Sequence, residues 1–367
     1  MRRRTLLGLG SVAMMAGCLR LDEDGEDGPA ADEGAGSETG ASSRNSDYPL
    51  GISEDGLSET LSQTHQNELA DRSFTLEYEF EDSEDEARYD AMRVRAEDDR
   101  AAIERTHRPN ARSVDFYFDG TDEWWRRIDD GTTHYGRQQT TGRVVPYKYG
   151  PNQLTFGEAL AVYIRLGEYG PPVENDDEDR FRFTANAPAD RDALADPAGP
   201  GDYRVNDIST ELTVDDDGII HSFGGSFDAI MRDRQRFLET TLSVSNIGAT
   251  TLEEPGWVAD ARQEAPQLRM EIADDERAVV ITHESGQPIP AGAELILDQN
   301  ADGPEKSHFT RTEADLTPGD TLSAWISDDI LQVSQSRRGS GVKLEQHWHV
   351  TFHLDWSKYF AGLIGDV

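Results

Sequence analysis

Cysteine is nearly missing from this 367-residue chain, in which Cys18 is the only one. A single thiol excludes an internal disulfide, so an exported body would be held by its cores alone. Bases are scarce too: 35 Lys and Arg, most of them Arg, stand against 72 Asp and Glu, for a net charge of -37. The acids run through the whole chain rather than forming a tail. Such a charge excludes nucleic acid as a partner and repels anionic lipid headgroups in dilute buffer. Its self-repulsion calls for strong salt, the pattern of a halophilic extracellular protein. Catalytic signatures are absent as well. There is no Gly-x-Ser-x-Gly, no Gly-rich phosphate loop before a helix, no His-Glu-x-x-His, and no cysteine left for nucleophilic work once Cys18 is modified. Carboxylates are so common that a pair at glycosidase spacing carries no information. No enzyme activity and no cofactor are expected.

What is present begins at the N-terminus. Arg3 and Arg4 precede Thr5-Leu6-Leu7 and an apolar run through Met15, then Ala16-Gly17-Cys18. Twin arginines before an apolar segment too short and too glycine-rich to span a bilayer read as a Tat-type export signal over residues 1–17. Small residues directly before a lone cysteine resemble the lipobox, which implies that Cys18 becomes the mature N-terminus and carries lipid. At ~0.8 kcal/mol per buried methylene, two long chains on Cys18 would make release from the membrane negligible. The expected location is the outer face of the cytoplasmic membrane. Residues 18–49 form the expected acidic tether, since the stretch from Leu19 to Asp47 has no aromatic residue with which to build a core.

Beyond the tether, hydrophobic periodicity predicts a mainly β, α+β fold in two parts. In the first, residues 50–265, a helix is expected over Ser58–Ala70. The Phe74–Phe80 stretch alternates strictly, every even position large and apolar. Strands are predicted at Tyr89–Ala96, Ala101–Thr106, Val114–Phe118, Glu123–Ile128 and Thr132–Gln138, with Asp119-Gly120 and Asp130-Gly131 as turn signals. A second helix is expected over Phe156–Glu168, where Phe156, Leu160, Tyr163 and Ile164 share a stripe. Four more strands follow at Phe181–Ala185, Ile208–Val214, Ile219–Phe223 and Phe237–Val244. Together these form a curved antiparallel sheet or half-barrel covered by helices. In the second part, residues 266–367, short strands at Gln267–Ile272, Ala278–Thr282, Glu294–Leu297, Thr321–Ser327 and Glu345–Leu354 predict an immunoglobulin-like sandwich.

Several stretches carry a family resemblance. The helix followed by Ser73-Phe74-Thr75, the Phe116-Tyr117-Phe118-Asp119-Gly120 to Trp124-Trp125-Arg126 hairpin, the Val214-Asp215-Asp216-Asp217-Gly218-Ile219-Ile220 turn and the closing Pro255-Gly256-Trp257-Val258 resemble haloarchaeal surface lipoproteins. More distantly they are similar to the LolA and LppX/LprG group of half-barrels that shelter lipid chains. The resemblance covers about 200 residues and implies a hydrophobic groove between sheet and helices, with no catalytic residues. Likewise, Thr282-His283-Glu284-Ser285-Gly286 followed by Thr317-Pro318-Gly319-Asp320 resembles the immunoglobulin-like domain of archaeal pilin-type surface proteins. That implies an interaction module.

The groove would be lined by Phe74, Leu76, Tyr78, Phe80, Val114, Phe116 and Phe118, and would suit an acyl or isoprenoid chain, from a lipid or another lipoprotein. The same aromatics would serve equally as plain core, each contributing ~1.5–3 kcal/mol when buried. The alternative function is therefore a purely structural surface protein contacting surface-layer partners. Two stretches carry ligands a metal could use, although no metal is assigned. Asp298, Asn300 and Asp302 match the opening of a calcium loop, but the twelfth position, which should be an acid, is Phe309. His347, His349 and His353 share strand parity, the first two ~7 Å apart, a spacing open to zinc.

Overall fold

Alternation in the sequence is realised as strands over most of the chain. The computed structural model describes residues 48–82, 88–108, 112–120, 122–129, 131–139, 154–175, 180–190, 203–231, 234–299, 306–336, 341–344, 348–354 and 357–364. It is mainly β, with large antiparallel sheets and three helices among the described residues. A short pair, β1 (Ile52–Ser53) and β2 (Gly56–Leu57), leads into α1 (Thr60–Ala70). A six-stranded meander follows: β3 (Phe74–Asp82), β4 (Arg88–Glu97), β5 (Arg100–Arg108), β6 (Arg112–Phe118), β7 (Asp122–Asp129) and β8 (Thr132–Gln139). Then come α2 (Gly157–Leu166), β9 (Val173–Asn175), β10 (Arg180–Ala185), β11 (Tyr203–Asp215), β12 (Ile220–Met231), β13 (Arg234–Ser245) and α3 (Trp257–Glu264). The C-terminal part supplies β14 (Gln267–Ile272), β15 (Val279–Ser285), β16 (Glu294–Gln299), β17 (Lys306–Arg311), β18 (Thr321–Ser327), β19 (Ile330–Ser334), β20 (Trp348–Leu354) and β21 (Ser357–Ile364). The chain divides into two compact units, one of residues 1–70 with 151–239, the other of 71–150 with 240–367. The expected boundary near residue 265 lies inside the second.

In the first unit, β9 to β12 pair antiparallel in the order β12-β11-β10-β9. Register stacks the apolar residues on one face: Phe183 opposes Leu212, which opposes Phe223, and Ile208 opposes Phe227. All five are buried. Helix α2 sits directly on this face, its Tyr163 ring stacked at 4.7 Å on Phe223 and 5.8 Å from Phe227. Helix α1 buries Leu61, His65 and Leu69, a four-residue spacing that makes one stripe. The β11–β12 turn is tied by one carboxylate. Asp215 accepts hydrogen bonds from the Asp217 and Ile219 amides at 3.1 and 2.9 Å and pairs with His221 Nε2 at 2.7 Å. Burial alone would raise its carboxyl, but the bonds from His221 and Ile219 outweigh it and hold the group below its ordinary value. Gly218 takes the left-handed position (φ 87°) that closes this turn.

In the second unit the main sheet runs β17-β16-β20-β21-β8-β7-β6-β5-β4-β3, antiparallel except where β21 lies parallel to β8. A second sheet, β14-β15-β18-β19, shares a core with it: Leu268, Val279, Ile281 and Leu322 pack in one cluster with Leu295, Leu297 and Trp125. The two turn motifs of this part meet in space. His283 N–H donates to the Asp320 carbonyl at 2.9 Å, and Gly319 N–H donates to the His283 carbonyl at 2.7 Å.

Most expected strands are present, with β12 and β13 longer than the alternation indicated. Seven elements were not expected, among them the short strands β1, β2 and β9. Strand β17 (Lys-Ser-His-Phe-Thr-Arg) carries one large apolar residue, and that one, Phe309, is 70% exposed. Strands β19 and β21 and helix α3 also went unread. The helix buries only Val258 and Ala261, too few to make a stripe.

His65 joins three segments of the first unit. Its Nδ1 accepts from the Ile220 amide at 3.0 Å, which leaves Nε2–H to donate to the Thr155 carbonyl at 3.0 Å. Complete burial lowers its pKa from 6.5 to about 4. The fold therefore favours the neutral ring, and this stability is fully present above pH 6.5 and lost as pH falls through about 4. The loss amounts to about 3 kcal/mol. In molar salt, chemical denaturation at pH 7 and pH 4.5 should show a steeper acid loss for the wild-type chain than for a His65→Asn variant, which is weaker at pH 7 but lacks that increment. Equal slopes would overturn the assignment.

Candidate ligand-binding face

The meander β3–β8 carries the seven residues predicted to line a groove, and its register decides which of them meet. Strand β3 pairs with β4, β4 with β5, and β5 with β6, without a slip. Reading across, Phe74, Ala96, Ala101 and Phe118 form one row. Leu76, Val94, Ile103 and Phe116 form the next, continued by Trp125 and Gly136. Tyr78, Met92, Arg105 and Val114 form the third, and Phe80, Asp90 and His107 the fourth. All seven predicted residues thus lie on one face of one sheet. Large side chains on β3 and β6 flank smaller ones on β4 and β5, most clearly in the Phe-Ala-Ala-Phe row.

Exposure changes along this face. Val94 and Ile103, and Leu76 beside them on β3, are at most 3% exposed, so protein covers the floor in this form. Tyr78, Met92 and Val114, one row further, are half-buried beside Arg105. There the face turns polar. Arg105 donates to buried Asp90 through Nε at 2.9 Å and Nη2 at 2.5 Å, a bidentate pair. His107 Nδ1 lies 3.9 Å from the same carboxylate. At the β6–β7 side, Phe116 and Trp125 pack into the core shared with the second sheet. Gly136 makes that packing fit, because a Cβ there would lie 2.0 Å from the Trp125 ring.

The opposite face of the meander is closed by α3. Ala102, Tyr117, Trp124 and Tyr135 form one cluster with Val258 and Ala261. Beside it runs a ladder of paired charges: Arg93 with Glu77 at 3.4 Å, Arg95 with Glu104 at 3.0 Å, and Arg126 with Asp115 at 2.9 Å. Burial still raises the Asp115 carboxyl from its ordinary value, against the pull of Arg126. Arg137 and Arg262 also stack on Trp124, with 4.9 and 5.8 Å from guanidinium to ring centre.

Sequence reasoning named the walls of the face and missed its floor and its polar end. Ala96 and Ala101 are too small to mark an apolar alternation. The Asp98-Asp99 turn was the available signal, since Glu97 pairs with Arg100 across it and so sets Ala96 against Ala101. Other predicted residues are placed differently. Arg3, Arg4, Cys18, Asn300, Asp302 and His347 lie outside the described residues. Asp298 falls within β16, and His349 and His353 fall within β20. Among the described residues no group of three or more His, Cys, Asp or Glu could hold a metal ion.

A family model matches residues 4–261, more than two thirds of the chain. The chain belongs to the family of unknown function DUF7537. No curated protein matches this DUF7537 member. Among solved structures it is similar to a LolA superfamily protein from Nitrosomonas europaea, with 12% identity over 53% of this chain and 94% of the other, at a TM-score of 0.21. It is also similar to the MucA/MucB complex of Pseudomonas aeruginosa, with 12% identity over 75% and 90% of the two chains and a TM-score of 0.19. TM-scores this low transfer no residue role to the DUF7537 chain.

Replacing Gly136 with Ala should lower stability by about 1–3 kcal/mol, because the Trp125 indole has to leave its seat. Denaturation in molar salt, followed by tryptophan fluorescence, measures both the loss and the moved ring. An unchanged midpoint would contradict this packing.

Proposed function

We propose that this DUF7537 protein is lipid-anchored at the outer face of the cytoplasmic membrane and binds an apolar chain along the β4–β5 floor. The observation that carries the reading is the register of the meander. It sets Phe74 and Phe118, then Leu76 and Phe116, as walls on either side of Ala96-Ala101 and Val94-Ile103. Three strand spacings of ~4.8 Å separate the walls, enough to seat one hydrocarbon chain. Recognition would be burial of methylenes at ~0.8 kcal/mol each, without covalent chemistry. Because the floor is covered in this form, a bound chain displaces that cover. The half-barrel fold of the LolA group, export through Arg3 and Arg4, lipidation of Cys18 and an immunoglobulin-like C-terminal sandwich all belong to this proposal, as does the absence of enzyme activity.

A second reading is favoured by a specific observation. Phe116 and Trp125 already contribute to a filled core with Leu268 and Leu295, and Tyr163 fills the space above Phe223 in the first unit. On that reading the protein is a structural or interaction component of the cell surface, and its aromatics serve stability alone.

The test is a Cys18→Ser chain purified from molar salt and extracted with organic solvent for mass spectrometry. The binding reading expects about one equivalent of a long-chain amphiphile, lost at least tenfold in a folded Ala101→Leu variant that raises the floor. A clean extract from folded protein that also fails to take up added fatty acid would leave the structural reading standing.

A further inference from the structure

Two end strands of the second unit lie side by side. Strand β17 is the last of the main sheet and β19 the last of the second sheet. His308 Nδ1–H on β17 donates to the carbonyl of Asp329, the residue before β19, at 3.3 Å. From that contact both strands run toward one cavity of about 230 Å3, which Thr312 lines just beyond the end of β17 and Val333 lines near the end of β19. Leu316 and Leu322 form its apolar floor with Val333. Glu313, Ala314 and Gln335 on its rim are exposed, so it opens to solvent.

The same edge carries a ring that the fold leaves outside. Phe309 stands opposite Ile296, whose neighbours Leu295 and Leu297 fill the core, so strand alternation turns Phe309 to the outer face, where it is 70% exposed. Ile330, the residue after Asp329, is 58% exposed. Sheet edges bearing exposed apolar side chains are templates for association.

We propose that the β17–β19 edge binds a second copy of this chain, each copy setting its Phe309 ring into the cavity of the other. A second copy is favoured over a different partner because one surface holds both the ring and its receptacle. Phe309 stands three residues before Thr312, ~10 Å along the strand, and a two-fold axis between ring and cavity makes both contacts at once. The volume fits, since a cavity of about 150 Å3 already holds benzene. Charge fits as well: Arg311 and Glu313, both exposed and following Phe309, have opposite signs, so the exchange that seats the rings sets Arg311 near Glu313 of the partner subunit. The net charge of -37 on each copy opposes association in dilute buffer, but in molar salt the Debye length falls to ~3 Å. The inference does not depend on whether the meander binds an apolar chain.

The test is sedimentation velocity of the full Cys18→Ser chain in molar sodium chloride, over a hundredfold range of concentration around the micromolar. The expected result is a monomer–dimer equilibrium with no larger species, because reciprocal exchange closes on itself. Phe309→Ser, which removes the ring, and Ala314→Trp, which fills the cavity from its rim, should each weaken dimerisation at least tenfold. A mixture of the two variants should pair more tightly than either alone, since one ring and one cavity remain intact between them. Circular dichroism reports folding of each variant, and Ser334→Phe replaces Ala314→Trp if that chain unfolds. A monomer at every concentration overturns the proposal. So does a dimer that both variants leave unchanged, or a mixture that gains nothing over its components.

Discussion

Everything on the candidate face depends on how β4 and β5 are held in register. Glu97 pairs with Arg100 around the Asp98-Asp99 turn, and Asp98 takes the left-handed conformation at φ 54°. The salt bridge between Arg100 and Glu97 at 2.5 Å closes the same turn, and the Glu97 carboxylate also accepts the Leu252 amide at 2.8 Å. A slip of one residue would carry Ala101, Ile103 and Arg105 to the opposite face, against α3. The row of small side chains between aromatic walls, and the Asp90–Arg105 pair beyond it, would cease to exist. A short turn thus governs a surface that extends over four strands.

The electrostatics of the chain fit the same picture. With 72 acids and 35 bases, most cations are best used where they also position something. On the α3 side of the meander, Arg93, Arg95 and Arg126 each bridge to an acid on the adjacent strand. The first two of these pairs are exposed or half-exposed and are weakened by salt, whereas Asp115 is buried. Stacking of Arg137 and Arg262 on a buried Trp124 keeps its apolar contact when the ion pairs are screened. The bidentate Asp90–Arg105 pair is held on the other face with Asp90 only 2% exposed, so removing either partner strands a charge. Salt therefore weakens the first kind of contact more than the second and third.

Much of this was legible in the sequence, for reasons that can be named residue by residue. The alternation in Phe74–Phe80 identified β3 and its buried face, and the Asp-Gly dipeptides marked the β6–β7 and β7–β8 turns. The stripe of Leu160, Tyr163 and Ile164 identified α2. The floor of the face was not legible, because Ala96 and Ala101 acquire meaning only from the partners that register gives them. Strand β17 was hidden since Phe309 points away from any core and its neighbours are polar. Strand β19 was hidden by the two left-handed aspartates before it, Asp328 and Asp329, which read as loop.

The parallel contact between β21 and β8 has a consequence for the life of the chain. Phe360 pairs with Arg137 and Ala361 with Gln138, joining segments more than two hundred residues apart. The outer edge of β8 thus gains its neighbour from a segment made more than two hundred residues later. The main sheet is therefore completed by a long-range closure, slower and entropically more costly than the hairpins that build the meander.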